Sequence, residues 1–262
     1  MVSFDFIGSK EKAVAIVEIP KYLDRPKKEI AKEIMAKNKN VKSVIEKASA
    51  RKGKLRKRTY ELILGDKNTE VLHREFGYTL KVDPRKVYFS PRESTERQKV
   101  AEQVKPNETI MVMFGGIVVL PIAIAKKQPN INKIYSVELN SAAHRYALEN
   151  VRINKLSHKI VPIKGDVNKV CKEFYGKCDR VLMPLPLDAH KFLDAAVKCI
   201  KEEGGIVNFY SIGEEEDLFS KTLEVIDKGL KRLKRAYMVI NKRKVLPYSP
   251  RQWKICIDFM VK

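Results

Sequence analysis

Four short stretches hold the residues that could do chemistry. Gly115-Gly116 ends the apolar run "VMFGG", Glu138 ends "IYSVE", Asp166 follows "IKG", and Pro184-Leu185-Pro186-Leu187 ends "RVLM". A glycine pair lets a ligand approach the backbone closely. Glu138 lies 22 residues beyond Gly116, where an acid can hold a ribose diol. Asp166 stands where an acceptor can meet an adenine amino group. Taken singly, each acid is equally a helix cap or a solvated loop acid, and Gly-Gly is equally a plain turn. In this order, at the ends of successive strands, they point to an adenosine site.

Neither the later glycine of a dinucleotide fingerprint nor a G-x-x-x-x-G-K-[ST] loop is present, so no phosphate cradle is offered. S-adenosyl-L-methionine therefore fits better than a nucleotide or NAD. The rigid Pro184–Leu187 loop then has a use, because it can hold an acceptor ring for in-line attack on a methyl carbon. Enzymes that methylate an exocyclic amine begin this loop with Asn or Asp, whose side chain accepts a hydrogen bond from the amine. Pro184 has no such acceptor, which favours a ring nitrogen or carbon as the methylated atom.

Such residues need strands to carry them. From Thr95 onward strand and helix patterns alternate, with strands expected over Ile110–Phe114, Ile134–Leu139, Lys159–Ile163, Arg180–Met183 and Gly205–Tyr210. This spacing predicts a mostly parallel sheet covered by helices. Upstream, residues 1–20 read as a hairpin turning at Gly8-Ser9-Lys10, and Pro26 to Lys37 as a helix with Ile30, Ile34 and Met35 on one face. "KASARKGKLRKRTYELILG" reads as a hairpin with a cationic tip, and Glu70 to Ser94 as two strands with a turn at Asp83-Pro84. A helix capped by Ser94 or Thr95 follows, and a basic, strand-rich tail runs to Lys262. The expected architecture is α/β: a Rossmann-like methyltransferase domain over 93–262, preceded by a small α+β domain over 1–92.

Composition sets the outer bounds. The 262 residues, 44% hydrophobic, are ample for a packed core. No apolar run is long enough to span a membrane and no signal-peptide pattern opens the chain, so a cytoplasmic location is the default. Cys171, Cys178, Cys199 and Cys256 form no C-x-x-C pair and read as reduced thiols filling space. His73, His144, His158 and His190 show no ligand spacing, so no metal is expected. The 53 Lys+Arg against 32 Asp+Glu leave a formal charge of +21, which favours a polyanionic partner, nucleic acid first. Ion-pair networks of a hot habitat would explain many charges, but not their imbalance.

With these residues in view, the chain resembles archaeal tRNA (guanine-37-N1)-methyltransferases. The resemblance rests on "GKLRKRTYELILG", "HREFGYTLKVDPRKVYFSPRESTER", "IYSVELN", "GDV", "DRVLMPLPLDAHKFLDAA", "EEGGIVNFYSIGEE" and "YSPRQWKICIDF", which span nearly the whole chain. It implies S-adenosyl-L-methionine as cofactor and the anticodon loop of a tRNA as partner, phenylalanine tRNA being the expected one. A monomer is implied too. Glu96 would be the base that takes the guanine N1 proton, and Arg56 would stabilise charge on the guanine carbonyl. Phe89, Arg97, Phe114, Gly115, Gly116, Glu138, Leu139, Asp166 and Val167 would line the cofactor pocket, with Pro184 and Pro186 beside the acceptor. Arg51, Lys52, Lys54, Lys57 and Arg58 would grip loop phosphates while the purine turns outward. Without the resemblance, Glu96 reads as a first-turn helix acid, Arg56 as a phosphate contact, and the aromatic residues as core.

Three departures from the family pattern matter. The first cofactor loop is usually D-M-F-A-G-V-G-P-F-S, whereas here Val112 to Pro121 lacks the acid and the second glycine. An extra N-terminal domain that engages the tRNA elbow in many members has no counterpart before the small domain. Members devoted to guanosine have Asn-Leu-Pro where this chain has Pro184-Leu185-Pro186; the proline form resembles the branch that also methylates C7 of 4-demethylwyosine. Aminocarboxypropyl transfer to that tricyclic base, and a catalytically silent tRNA-binding protein, are the alternatives.

Overall fold

The structure, a computed structural model, describes residues 2–20, 22–48 and 59–262. A four-stranded sheet comes first, made of β1 (Phe4–Gly8), β2 (Ala13–Val17), β3 (Val41–Lys47) and β4 (Tyr60–Gly65) in that order, with α1 (Lys27–Lys37) crossing between β2 and β3. Every residue of β2 is buried, because the strand is covered on both faces and so reads as an unbroken apolar run. Ala13, Ala15 and Val17 face Ile30 and Ile34 of α1. Val14 and Ile16 face the main core.

Next come β5 (Val71–Glu75) and β6 (Tyr78–Val82), an antiparallel pair. Its turn is Phe76-Gly77, with φ of 42° and 78°, the left-handed pair that suits a two-residue hairpin. Asp83-Pro84 turns the chain out of this hairpin, the Asp83 carboxylate accepting from the Arg85 amide at 3.0 Å. The free edge of β6 is covered by a helix: Asn154 and Asn150 of α4 (Ser141–Ile153 and its cap) accept from the Thr79 and Lys81 amides at 3.1 and 2.6 Å and donate to the same residues' carbonyls. Side-chain amides thus do the work of a neighbouring strand.

The large sheet has seven strands in the order β12-β13-β11-β10-β7-β8-β9. They are β7 (Thr109–Met113), β8 (Lys133–Glu138), β9 (Ile160–Lys164), β10 (Arg180–Met183), β11 (Gly205–Glu214), β12 (Tyr237–Ser249) and β13 (Gln252–Val261). The strands β7 to β11 are parallel, as the alternation predicts; β13 and β12 add antiparallel at one edge. The helices α2 (Ser94–Gln103), α3 (Val119–Lys127), α4, α5 (Val167–Val170), α6 (Leu193–Cys199) and α7 (Ser220–Arg232) cover the two faces. All four cysteines are free and buried. Among the described residues no helix is long and apolar enough to cross a membrane, and no group of His, Cys, Asp and Glu could hold a metal ion.

The expected cap of α2 is corrected. Pro91, with its fixed φ, opens a short 3₁₀ turn over Pro91–Glu93. Ser94 therefore enters α2 as its first residue, and Glu93 takes the cap position without a side-chain cap bond. The Glu93 carboxylate is engaged elsewhere, as shown below.

Candidate active site

The sheet order reverses between β7 and β10, since the chain runs from β7 outward to β9 and then returns to the other side of β7. A crevice opens beyond the strand ends at such a point. The residues found there include Phe114, Gly115 and Gly116 after β7 and Pro184 after β10; Phe89, Ser90, Glu93, Glu96 and Arg97 come from the segment leading into α2. Tyr210 of β11 and Lys254 of β13 complete one wall. The anticipated residues Phe89, Glu96, Arg97, Phe114, Gly115, Gly116 and Pro184 thus share one pocket. Pro186, Glu138, Leu139, Asp166 and Val167 are not among its lining residues.

The loop after β7 is built on unusual backbone. Phe114, Gly116 and Val118 have φ of 58°, 57° and 61°. Gly115 packs closely on β8: a Cβ there would overlap the Ser136 hydroxyl, so any side chain requires Ser136 to move. The Gly116 amide donates to Glu138 Oε2 at 2.8 Å and the Asn140 amide to Oε1 at 2.7 Å. Burial raises the Glu138 carboxyl above its ordinary value, against the pull of these amides. The Leu139 amide is a third donor to this carboxylate, which still leaves it acceptor capacity for one more partner. Asp166 caps α5, accepting from the Asn168 amide at 2.8 Å. Leu139 is 46% exposed just after β8, and Val167 is buried as the first residue of α5.

Val118 sits where the family pattern has its second glycine. A buried β-branched residue in the left-handed region is a true outlier, with strain of about 1–3 kcal/mol. Glycine at 118 relieves that strain and forfeits a buried side chain, whereas alanine forfeits the burial and keeps much of the strain. Thermal denaturation is expected to rank Val118→Gly above Val118→Ala, the reverse of the usual order of the two residues in a structured segment. The opposite ranking would show that the backbone here is not strained.

Glu96 is 8% exposed. Its Oε1 accepts from the Tyr210 hydroxyl at 2.6 Å and from Arg243 Nε and Nη2 at 3.0 and 2.7 Å. Among the described residues its Oε2 meets only Arg243 Nε, at 3.2 Å. Arg243 also donates through Nη1 to Asp258, so one guanidinium lies between two carboxylates. Burial disfavours its charge, but hydrogen bonding to Glu96 and the negative groups around it keep the guanidinium firmly protonated. If Glu96 takes up a proton, Arg243 still has a charged partner in Asp258, and no buried cation is orphaned. Burial, followed by the nearby Cys256 and Glu96, raises the Tyr210 phenol well above its ordinary value, so it is a donor.

Arg97 lines the pocket with its stem, but its guanidinium is held by Glu75 through Nε at 3.0 Å and Nη2 at 2.8 Å, and by the Ser90 carbonyl at 3.1 Å. Burial works against ionisation of Glu75, yet His73, Arg97 and Tyr78 together keep its carboxyl below the ordinary range. The Gly8 amide donates to His73 Nδ1 at 3.2 Å, so the neutral ring turns its Nε2–H toward Glu75. This chain of bonds ties the first sheet to the pocket wall.

Arg51, Lys52, Lys54, Arg56, Lys57 and Arg58 lie outside the described residues. Four residues near Glu96 were not anticipated: Tyr210, Arg243, Lys254 and Asp258. A signal for two of them exists in "KICIDF". Strand alternation puts Lys254, Cys256 and Asp258 on one face, and Ile255, Ile257 and Phe259 are fully buried on the other. Charges on the inner face of such a strand mark a built polar cluster.

The model of the TRM5/TYW2 methyltransferase domain matches residues 71–240, and that of the TYW2 N-terminal domain matches residues 2–69. The tRNA (guanine(37)-N(1))-methyltransferase Trm5b of Pyrococcus abyssi is 39% identical over 259 residues, covering 99% of this chain and 74% of the relative. Its crystal structure superposes with a TM-score of 0.87, covering 99% and 75% of the two chains at 38% identity. The tRNA (guanine(37)-N(1))/4-demethylwyosine(37)-methyltransferase Taw22 of Nanoarchaeum equitans is 28% identical, covering 86% of this chain and 89% of the relative. The solved complex of aTrm5 with tRNALeu has a TM-score of 0.85 at 36% identity, covering 99% of this chain and 72% of that one.

Proposed function

We propose that this chain, which belongs to the TRM5/TYW2 methyltransferase family, methylates N1 of guanosine-37 in tRNA with S-adenosyl-L-methionine as donor. The observation that supports this most is the single pocket in which the loop after β7, the loop after β10 and the Glu96 carboxylate meet. The groups present suit the cofactor: the Glu138 carboxylate keeps acceptor capacity for a ribose hydroxyl beyond its backbone amides, and Gly116 faces open space. When bound, the cofactor supplies an electrophilic methyl carbon on a sulfonium.

The chain's own residues do the rest. Pro184 offers a rigid wall that limits rotation of the purine, which lowers the entropy cost of in-line attack. Glu96, held by Tyr210 and Arg243, presents Oε2 to the N1 proton. Glu96 would take the N1 proton, which would free the N1 electron pair to attack the methyl carbon that a bound cofactor would supply, the carbon–sulfur pair leaving with sulfur. By resemblance Arg56 and its basic neighbours hold the anticodon loop and the developing carbonyl charge.

Cofactor binding is expected to depend on pH. The raised Glu138 carboxyl becomes protonated as pH falls, starting above the ordinary value of 4.5, and then loses acceptor capacity. Affinity for S-adenosyl-L-methionine, measured by calorimetry, should weaken on acidification in that range, and Glu138→Gln should show weak, pH-independent binding. Equal pH dependence in both proteins would remove Glu138 from the site, and absence of saturable binding to the wild-type protein would favour a catalytically silent tRNA-binding protein.

A second reaction, C7 methylation of 4-demethylwyosine in phenylalanine tRNA, is favoured by one feature. Pro184 places no hydrogen-bonding side chain against the acceptor, as suits a tricycle that no longer presents the guanine edge. A transcript carrying that base tests it: methylated product supports a dual enzyme, an aminocarboxypropyl product supports the other transfer, and no product restricts the chain to guanosine.

A further inference from the structure

Lys254 is a buried cation on the wall of the pocket, 5% exposed. Its ammonium pairs with Glu93 Oε2 at 3.1 Å and lies 5.0 Å from the centre of the Tyr210 ring. Glu93 is held in turn by the Tyr88 hydroxyl at 2.8 Å. Burial opposes its ionisation, but the Lys254 charge and these hydrogen bonds outweigh burial and keep its carboxyl below the ordinary range. The ion pair is therefore fixed in place.

An ammonium has three donors. Among the described residues one goes to Glu93 and a second faces the Tyr210 ring, leaving a third for the pocket that Lys254 lines. The same Tyr210 donates its hydroxyl to Glu96. One phenol thus carries an acceptor-only carboxylate at its hydroxyl end and a donor-only ammonium over its face.

Guanine presents a matching pair of adjacent groups, the N1–H donor and the O6 acceptor. Adenine presents the reverse, an N1 acceptor beside an amino donor. Resting on the function proposed above, we infer that Lys254 is a catalytic and specificity-determining residue that donates a hydrogen bond to purine O6 while Glu96 takes the N1 proton. As N1 loses its proton, negative charge spreads onto O6, and a fixed cationic donor there stabilises the transition state more than the ground state. Against adenine the same pair places carboxylate against acceptor and ammonium against donor. Arg56 received the carbonyl role by resemblance; Lys254 supplies it from the pocket wall itself.

The test is single-turnover methyl transfer to transcripts with guanosine or 6-thioguanosine at position 37, using the wild-type chain, Lys254→Met and Lys254→Met/Glu93→Gln. The double variant removes both members of the ion pair and leaves no orphaned buried carboxylate. Sulfur is a poor acceptor, so the wild-type chain should slow about tenfold or more on the thio substrate. Both variants should slow about 10- to 100-fold on guanosine, and their ratio of guanosine to thioguanosine rates should fall toward one. Should the variants slow while the wild-type ratio persists, Lys254 only shapes the wall. If the wild-type chain does not methylate guanosine-37 at all, the proposed function fails first, and this inference with it.

Discussion

Glu96→Gln is expected to lower the single-turnover rate of methyl transfer to guanosine-37 by about 10²–10⁴-fold, the usual worth of a positioned general base. Glutamine preserves the shape, and its oxygen can still accept from Tyr210 or Arg243. Arg243 keeps Asp258 as its charged partner, so the fold should persist. Binding of tRNA should stay near normal, because Glu96 is a largely buried wall of the pocket rather than a residue displayed to phosphates. A loss confined to the chemical step is what removal of a transition-state interaction looks like. Retained activity in Glu96→Gln would leave the carboxylate a first-turn helix acid and no more.

The second large effect is on stability. Arg180 is fully buried at the start of β10, with Nε and Nη2 on Glu108 at 2.7 and 3.0 Å, Nη1 on the Asn208 side chain at 3.1 Å and Nη2 also on the Gln103 carbonyl at 3.1 Å. Arg180→Met leaves Glu108 charged and without its cation in the interior. Breaking a buried pair from one side costs about 3–5 kcal/mol, which for a chain of this size lowers the melting temperature by roughly 6–20 °C. Arg180→Met/Glu108→Leu removes both charges and should recover more than half of the loss, since an apolar replacement of a buried pair is often near neutral. If the double variant is no more stable than the single one, the Asn208 and Gln103 bonds carry the site rather than the ion pair.

The parts of the fold legible in the sequence are those with a strong local period. Apolar runs from Ile110, Ile134, Lys159, Arg180 and Gly205, separated by helical patterns, are the mark of a parallel sheet covered on both faces, and the structure has these strands within a residue or so at their starts. Glycines and acids at strand ends were legible because a parallel sheet gathers its strand ends at one rim. Arg243 was not. In "NKRKV" it looks like one of three solvated charges, and only the register of β12 on β13, with Arg243 opposite Cys256, turns it inward between its solvated neighbours. The second glycine missing from the cofactor loop was visible in the sequence, but its consequence, a valine held at φ 61°, needs the backbone. The cap of α2 was misplaced because Ser and Thr usually cap helices, while here Pro91 starts the turn earlier.

The central claim is that the pocket joining Glu96, the β7 loop and Pro184 transfers a methyl group to a purine beside an anticodon. It is tested most directly by incubating the protein with labelled S-adenosyl-L-methionine and a tRNA transcript carrying guanosine-37, followed by nucleoside mass spectrometry and mapping of the modified position. The account predicts N1-methylguanosine at position 37 and none when that guanosine is replaced by adenosine. Methylation at another position or atom, or no product while the tRNA still binds, would contradict it.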